Sequence, residues 1–366
     1  MPKTKNKKFK SNSQIYIFLF CLILFLTGYL ISKNLFLPKN DLVAILEEEQ
    51  VVVSPFCENF NLLNNRCLEN NDSTFYYGVM IENHGEARPQ AGLSKADFVF
   101  ETIVEAPITR FLAIFSSDKT IEKIGPVRSA RPYYVEWARE FNIPYLHVGG
   151  SNEAIDLLKK TTVFDLNEFY NGRYFWRDKN RFAPHNVYTS SEEVATAVKN
   201  KGWEFKNDFG KWNFFNEQEE KNLTVGQTQK VIIDFGSSNY NVEWVFDQEK
   251  KEYGRWQNGR IFVDDSGEQI IAKNLVVLYS SSRVIDNEGR RKTATIGSGP
   301  AEVHYYGNKI EAVWRRNSLT ERTEFFDDLG NKMFFSSGKI WLSVVPDHYD
   351  RAVTQIVEEN FDQNLK

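Results

Sequence analysis

Five lysines stand among the first ten residues, at Lys3, Lys5, Lys7, Lys8 and Lys10, and an uncharged apolar run follows from Ile15 to Ile31. Nothing else in the chain restricts its architecture as much. Crossing a hydrocarbon core takes about 20 apolar residues, roughly 17 at the least. Basic residues ahead of such a run, with no acids, keep the N-terminus in the cytoplasm. The expectation is a cytoplasmic tail over 1–14 and a transmembrane anchor over 15–32. The chain is then a single-pass membrane protein with its bulk outside the cytoplasm, working without cytosolic ATP or NAD. A cleaved signal peptide is the first rival, and Thr27-Gly28-Tyr29-Leu30 makes a poor cleavage site for it. A lipoprotein signal is the second. Cys21 follows Phe20 in the middle of the run, with no small residue before it, so it makes a poor attachment point.

Beyond the anchor some 330 residues remain, enough for two domains. Apolar residues at 42% and aromatics at 14% are sufficient to build real cores. The net charge of −4 conceals an asymmetry. Residues 1–33 hold six of the 45 basic residues and no acids, so 39 basic residues face 49 acidic ones in the remainder, a net −10. An acidic remainder argues against general nucleic-acid binding. Cys57 and Cys67 lie in a polar stretch and could close a ten-residue loop in an oxidising compartment; two unpaired thiols are the alternative.

Residues 33–73, rich in Asn and carrying Glu47-Glu48-Glu49, read as a linker or loose stalk. An α/β domain is expected over 74–205. Strands are predicted over 75–82, 97–104, 110–115, 121–124 and 145–148. Helices are predicted from Pro132 to Phe141 and from Ser151 or Asn152 to Lys160. From 224 to 347 the apolar period is mostly two. Turn signals such as Asn258-Gly259 and Ser337-Gly338 separate the runs, so the second domain is expected to be mostly β.

The segment Gly125-Pro126-Val127-Arg128-Ser129-Ala130-Arg131 falls between a predicted strand and a predicted helix. Helix N-termini attract anions, and arginine supplies forked, permanently charged donors for phosphate oxygens. Arg128, Ser129 and Arg131 are therefore candidate anion ligands; pairing of the arginines with acids such as Glu101 or Glu105 is the competing account. His147-Val148-Gly149-Gly150 is a second strand-to-helix turn, without the lysine and spacing of a P-loop. Arg177, His185 and Asn186 sit in an aromatic and basic loop. Glu82, Asp97 and Glu101 could hold a divalent ion such as Mg2+, although no spacing is diagnostic.

Met80-Ile81-Glu82-Asn83-His84, Ala87–Asp97, Ile108–Phe115, Gly125–Tyr134, Ala183-Pro184-His185-Asn186, Asp286–Arg291, Gly297-Ser298-Gly299 and Trp341–Pro346 together resemble the YerB family. The family consists of bacterial membrane-attached proteins with two domains of uncharacterised function, usually lipoprotein-like. The first domain is also faintly similar to the LytR–CpsA–Psr enzymes, which transfer glycopolymers from polyprenyl-pyrophosphate carriers. Here no acid follows Arg128, and Arg110 stands where those enzymes have an acid. The function these readings imply is binding of an anionic envelope ligand, a lipid-linked or phosphorylated glycan, with phosphotransfer as a further activity. Arg128 and Arg131 would clamp the phosphate, and Arg110, Arg177 and His185 would support them. The alternative is a non-catalytic scaffold for cell-wall synthesis enzymes.

Overall fold

The computed structural model describes residues 57, 59–68, 74–105, 107–348 and 353–357. The expected tail and anchor, over 1–14 and 15–32, lie outside the described residues. The described residues from Cys57 onward form one compact unit. The α/β first part and the mostly-β second part are both present, and one ten-stranded mixed sheet runs through them.

Its strands in chain order are β1 (Tyr76–Glu82), β2 (Phe98–Glu105), β3 (Ile108–Ser116), β4 (Pro144–His147) and β5 (Phe164–Asn167), then β6 (Asn274–Ser280), β7 (Gly297–Tyr305), β8 (Asn308–Arg316), β9 (Glu324–Phe326) and β10 (Ile340–Pro346). Across the sheet the order is β9-β8-β7-β6-β10-β2-β3-β1-β4-β5. The join is β10, which pairs in parallel with β2 on one side and with β6 on the other. All seven residues of β10 are buried, and six of them are apolar, with Ser343 the exception, as befits a strand covered on both faces.

Alternate side chains of β1 enter different cores. Tyr77, Val79 and Ile81 face one side, together with Phe111, Trp244 and Trp341. Tyr76 and Met80 face the other, together with Phe100, Leu112 and Trp137. A second sheet, containing Thr228–Ile233, Val242–Asp247 and Glu252–Gln257, covers the first face. Helix α1 (Pro132–Arg139) covers the opposite face, with Trp137 stacked on Phe100 at 4.9 Å. Helix α2 (Asn152–Lys160) starts at Ser151, whose hydroxyl accepts from the Ala154 N–H. Helix α3 (Ser191–Lys201) ends at Gly202, in the left-handed conformation that favours glycine there.

Two expectations change. Residues 121–124 form no strand; Ile124 makes only a two-way bridge to Thr189 before Gly125 and Pro126 interrupt the ladder. The end of the supposed stalk is packed rather than loose. Leu63 is buried, the Asn64 amide donates to Asp97 at 2.8 Å, and Arg66 pairs with Asp118. Cys57 and Cys67 are joined by a disulfide that closes this segment.

Candidate functional site

The segment 125–131 lies between the end of β1 and the turn after β4. Gly125, at φ 148°, lies against the Val187 carbonyl, where an added Cβ would be only 2.8 Å from its oxygen. The Glu82 N–H donates to the Pro126 carbonyl and the Arg128 N–H to the Met80 carbonyl. On the other side the Val148 N–H donates to the Arg128 carbonyl and the Ala130 N–H to the Gly149 carbonyl. Backbone bonds on both edges thus set where Arg128 and Arg131 project. Arg131 is the N-cap of α1 and makes no side-chain cap.

Both arginines meet acids. Arg128 donates through Nε to Glu82 at 2.8 Å. Arg131 donates through Nε and Nη2 to Glu105, the former at 2.6 Å. The supporting arginine turns out to be central. Arg110 faces Glu82 across the β1–β3 ladder, donates to the Ser129 carbonyl at 2.7 Å, and approaches Glu105 at 3.5 Å. Burial pushes its guanidinium pKa down, and the positive charges of Arg131 and Arg128 push it further. Arg110, Arg128 and Arg131 therefore crowd one another around two carboxylates, Glu82 and Glu105.

Beside Arg131 opens a cleft of about 450 Å3, between the start of α1 and the hairpin formed by Ser282–Val284 and Arg291–Thr293. Pro132, Tyr133, Ile285 and Ile296 supply apolar wall. Arg131, Arg290, Arg291 and Lys292 line it against two acids, Glu136 and Glu153. Arg290 is neutralised by Asp286. Arg291 is different: it is 7% exposed and donates only to the Ser282 hydroxyl and carbonyl, with no carboxylate in salt-bridge range among the described residues. A buried guanidinium facing only neutral oxygens lacks the counter-charge that normally offsets its desolvation. Burial raises the Tyr133 hydroxyl pKa, opposed by the positive charges of Arg110, Arg131 and Arg291.

The other predicted residues do not join this cleft. His147 is fully buried, with Nδ1 against the Gly149 carbonyl at 2.6 Å and Nε2 against Asp165 at 2.8 Å. The glycine pair is structural. The Gly149 N–H donates to Asn167, and a Cβ on Gly149 would strike the Phe169 ring at 2.9 Å. Arg177 is half exposed, pairs with Glu168, and donates to Asn186 at 3.1 Å. Asn186 donates to the Asp178 and Arg181 carbonyls, so the two brace the loop that delivers His185 to Glu82 at 2.9 Å. The three acids considered for Mg2+ do not converge. Asp97 is occupied by Lys119, Ser116 and Asn64, and Glu101 by Arg255, Thr109 and Trp341.

Sequence reasoning missed Arg291, because Arg290-Arg291-Lys292 reads as a solvated turn. It also missed the grouping of His84, Glu86 and His185, two elements separated by about a hundred residues.

Two family models match the chain. Residues 68–204 match the model described as "Protein of unknown function (DUF3048) N-terminal domain", and residues 231–342 match its C-terminal domain. The Bacillus subtilis (strain 168) protein named "Putative lipoprotein YerB" is 34% identical over 273 residues, covering 74% of this chain and 80% of that protein. The chain belongs to the YerB family. A crystal structure of YerB protein from Bacillus subtilis superposes with a TM-score of 0.71 at 30% identity, covering 82% of this chain and all of that one. The YerB relationship corrects the expected single membrane span and single-pass location. The relative is named a lipoprotein, and no helix among the described residues is long and apolar enough to cross a membrane.

Proposed function

We propose that this YerB-family protein is an extracytoplasmic, membrane-associated envelope protein. In this reading it binds a phosphorylated, partly apolar ligand, such as a lipid-linked glycan, in the cleft beside α1. The observation that carries the reading is Arg291, buried in the cleft wall without an acid. It stands with Arg131 around Tyr133, beside an arginine group already short of negative charge. The clamp is thus Arg131 and Arg291 rather than Arg131 and Arg128. Apolar wall next to guanidinium suits a ligand with a phosphate beside a prenyl or sugar-ring face.

Calorimetric titration of the detergent-solubilised full chain with a polyprenyl pyrophosphate tests it. A charge-assisted contact is worth about 1.5–3 kcal/mol. Arg291→Gln should therefore weaken binding by one to two decades while the melting temperature holds. Equal affinity in the variant, or no binding by the parent, would sink the proposal.

A further inference from the structure

At the far side of Glu82 from Arg128 lies a cluster that the anion cleft does not use. One ligand atom each from His84, Glu86 and His185 falls within 4.8 Å of the others. His185 is the fixed member. Its Nδ1 is 2.9 Å from the Glu82 carboxylate, and Glu82 is itself buried. That bond makes Nδ1 the donor and directs Nε2 outward, where Glu86 stands at 3.1 Å. A carboxylate holding the remote nitrogen of a histidine is the support that metal-bound imidazoles use, because it sets ring orientation and raises ligand basicity. Glu82 is in turn held by Arg128 at 2.8 Å, so the whole line of support is built from β1 and the pinned 125–131 segment.

His84 is the adjustable member. Its ring stacks on His185 with centroids 5.0 Å apart and planes 13° from parallel. Parallel rings cannot both aim in-plane lone pairs at one ion, so His84 must leave the stack to bind. Little holds it. Its Nδ1 accepts only a 3.3 Å bond from the Glu86 N–H, on the three-residue turn Gly85–Ala87. At Gly85 there is open space on the Cβ side, with nothing within 4 Å. Two imidazoles with one carboxylate suit zinc, whereas Mg2+ and Ca2+ prefer all-oxygen shells. His84 and Glu86 border a cleft of about 320 Å3 that also includes Arg88 and Tyr240, so a fourth coordination position would open into it.

We propose that His84, Glu86 and His185 form a mononuclear zinc site, oriented by Glu82 and open at one coordination position toward the cleft beside Arg88 and Tyr240.

The test uses the full chain, stripped with chelator and titrated with Zn2+ alone, then with Co2+ as an optical probe. The expected result is one zinc per chain and the intense visible bands of a tetrahedral cobalt centre. His84→Ala and Glu86→Gln alter an exposed turn and should lower zinc affinity at least tenfold each without moving the melting temperature of the stripped protein. Glu82→Gln should lower it about 10–100-fold, as removal of such supporting carboxylates does. Arg291→Gln should leave zinc uptake unchanged, which separates this site from the anion cleft. Absence of stoichiometric zinc in the parent would overturn the proposal. So would unchanged affinity in both His84→Ala and Glu86→Gln, and the cluster would then be a histidine held between two glutamates.

Discussion

Arg255 and Glu101 form a doubly hydrogen-bonded ion pair, at 2.7 and 2.9 Å, in which both side chains are fully buried. Glu101 belongs to β2 of the long sheet, and Arg255 to the sheet that covers it. The guanidinium also lies 4.6 Å from the Trp341 ring centroid and 4.9 Å from that of Phe262. Trp341 donates its indole N–H to the same carboxylate at 2.9 Å. The pair therefore fastens the two sheets to each other and to β10.

Removing one partner strands the other charge in a dry interior. Glu101→Gln or Arg255→Met should each cost about 3–5 kcal/mol, read as a lower midpoint in urea unfolding. A combined Glu101→Leu/Arg255→Met variant should recover much of that loss, since no lone charge remains. A single-variant loss below about 1 kcal/mol would show that the pair is hydrated in solution.

Gly125 and Gly85 make a matched contrast within the two sites. Gly125 has positive φ and backbone at 2.8 Å from any added Cβ, so Gly125→Ala should cost about 1–3 kcal/mol. It should also weaken anion binding, by displacing the segment that carries Arg131. Gly85 has nothing within 4 Å, and Gly85→Ala should change stability by less than about 0.5 kcal/mol. Thermal melts of the two variants side by side check this, and equal losses would contradict it.

Lys339 donates to the Ser94 carbonyl at 2.6 Å and feels the positive charge of Lys119. Burial first, and then the charge of Lys119, hold its amine pKa down to about 8 from 10.5. Between those values the folded chain has released a proton that the unfolded chain still binds, so this group's contribution to stability rises with pH across the window. Below about pH 8 both forms are charged, and the contribution is flat at its least favourable value. Against Lys339→Met, the parent should gain in relative melting temperature from pH 8 to pH 10. A difference that stays constant with pH would refute the depressed amine.

The disulfide between Cys57 and Cys67 spans ten residues. Closing a loop of that size is worth about 2–3 kcal/mol in the chain-entropy account. Cys57→Ser/Cys67→Ser should lower unfolding stability by no more than that, because Leu63 and Arg66 still dock the segment. Limited proteolysis should cut first near residues 57–68 in the variant. An unchanged cleavage pattern would mean that packing alone holds the loop.

Local chemistry made much of this protein legible in its sequence. Short apolar and aromatic runs bounded by turn signals marked β1, β2 and β3, and period-two alternation marked most strands of the second part, because a strand's faces are set by its own successive residues. Pro132 and Ser151 marked the starts of α1 and α2, because helix ends are satisfied by neighbours in the chain. The YerB segments were equally visible in the text of the chain. What the sequence could not decide was partnership across distance. Arg131 found an acid partner in Glu105, 26 residues back along the chain. Arg291 became a buried, acid-free charge only because its hairpin folds against α1. His185 met Glu82 across 103 residues. A charge's energy depends on which atoms surround it and how little water remains, and only the tertiary structure sets either of these.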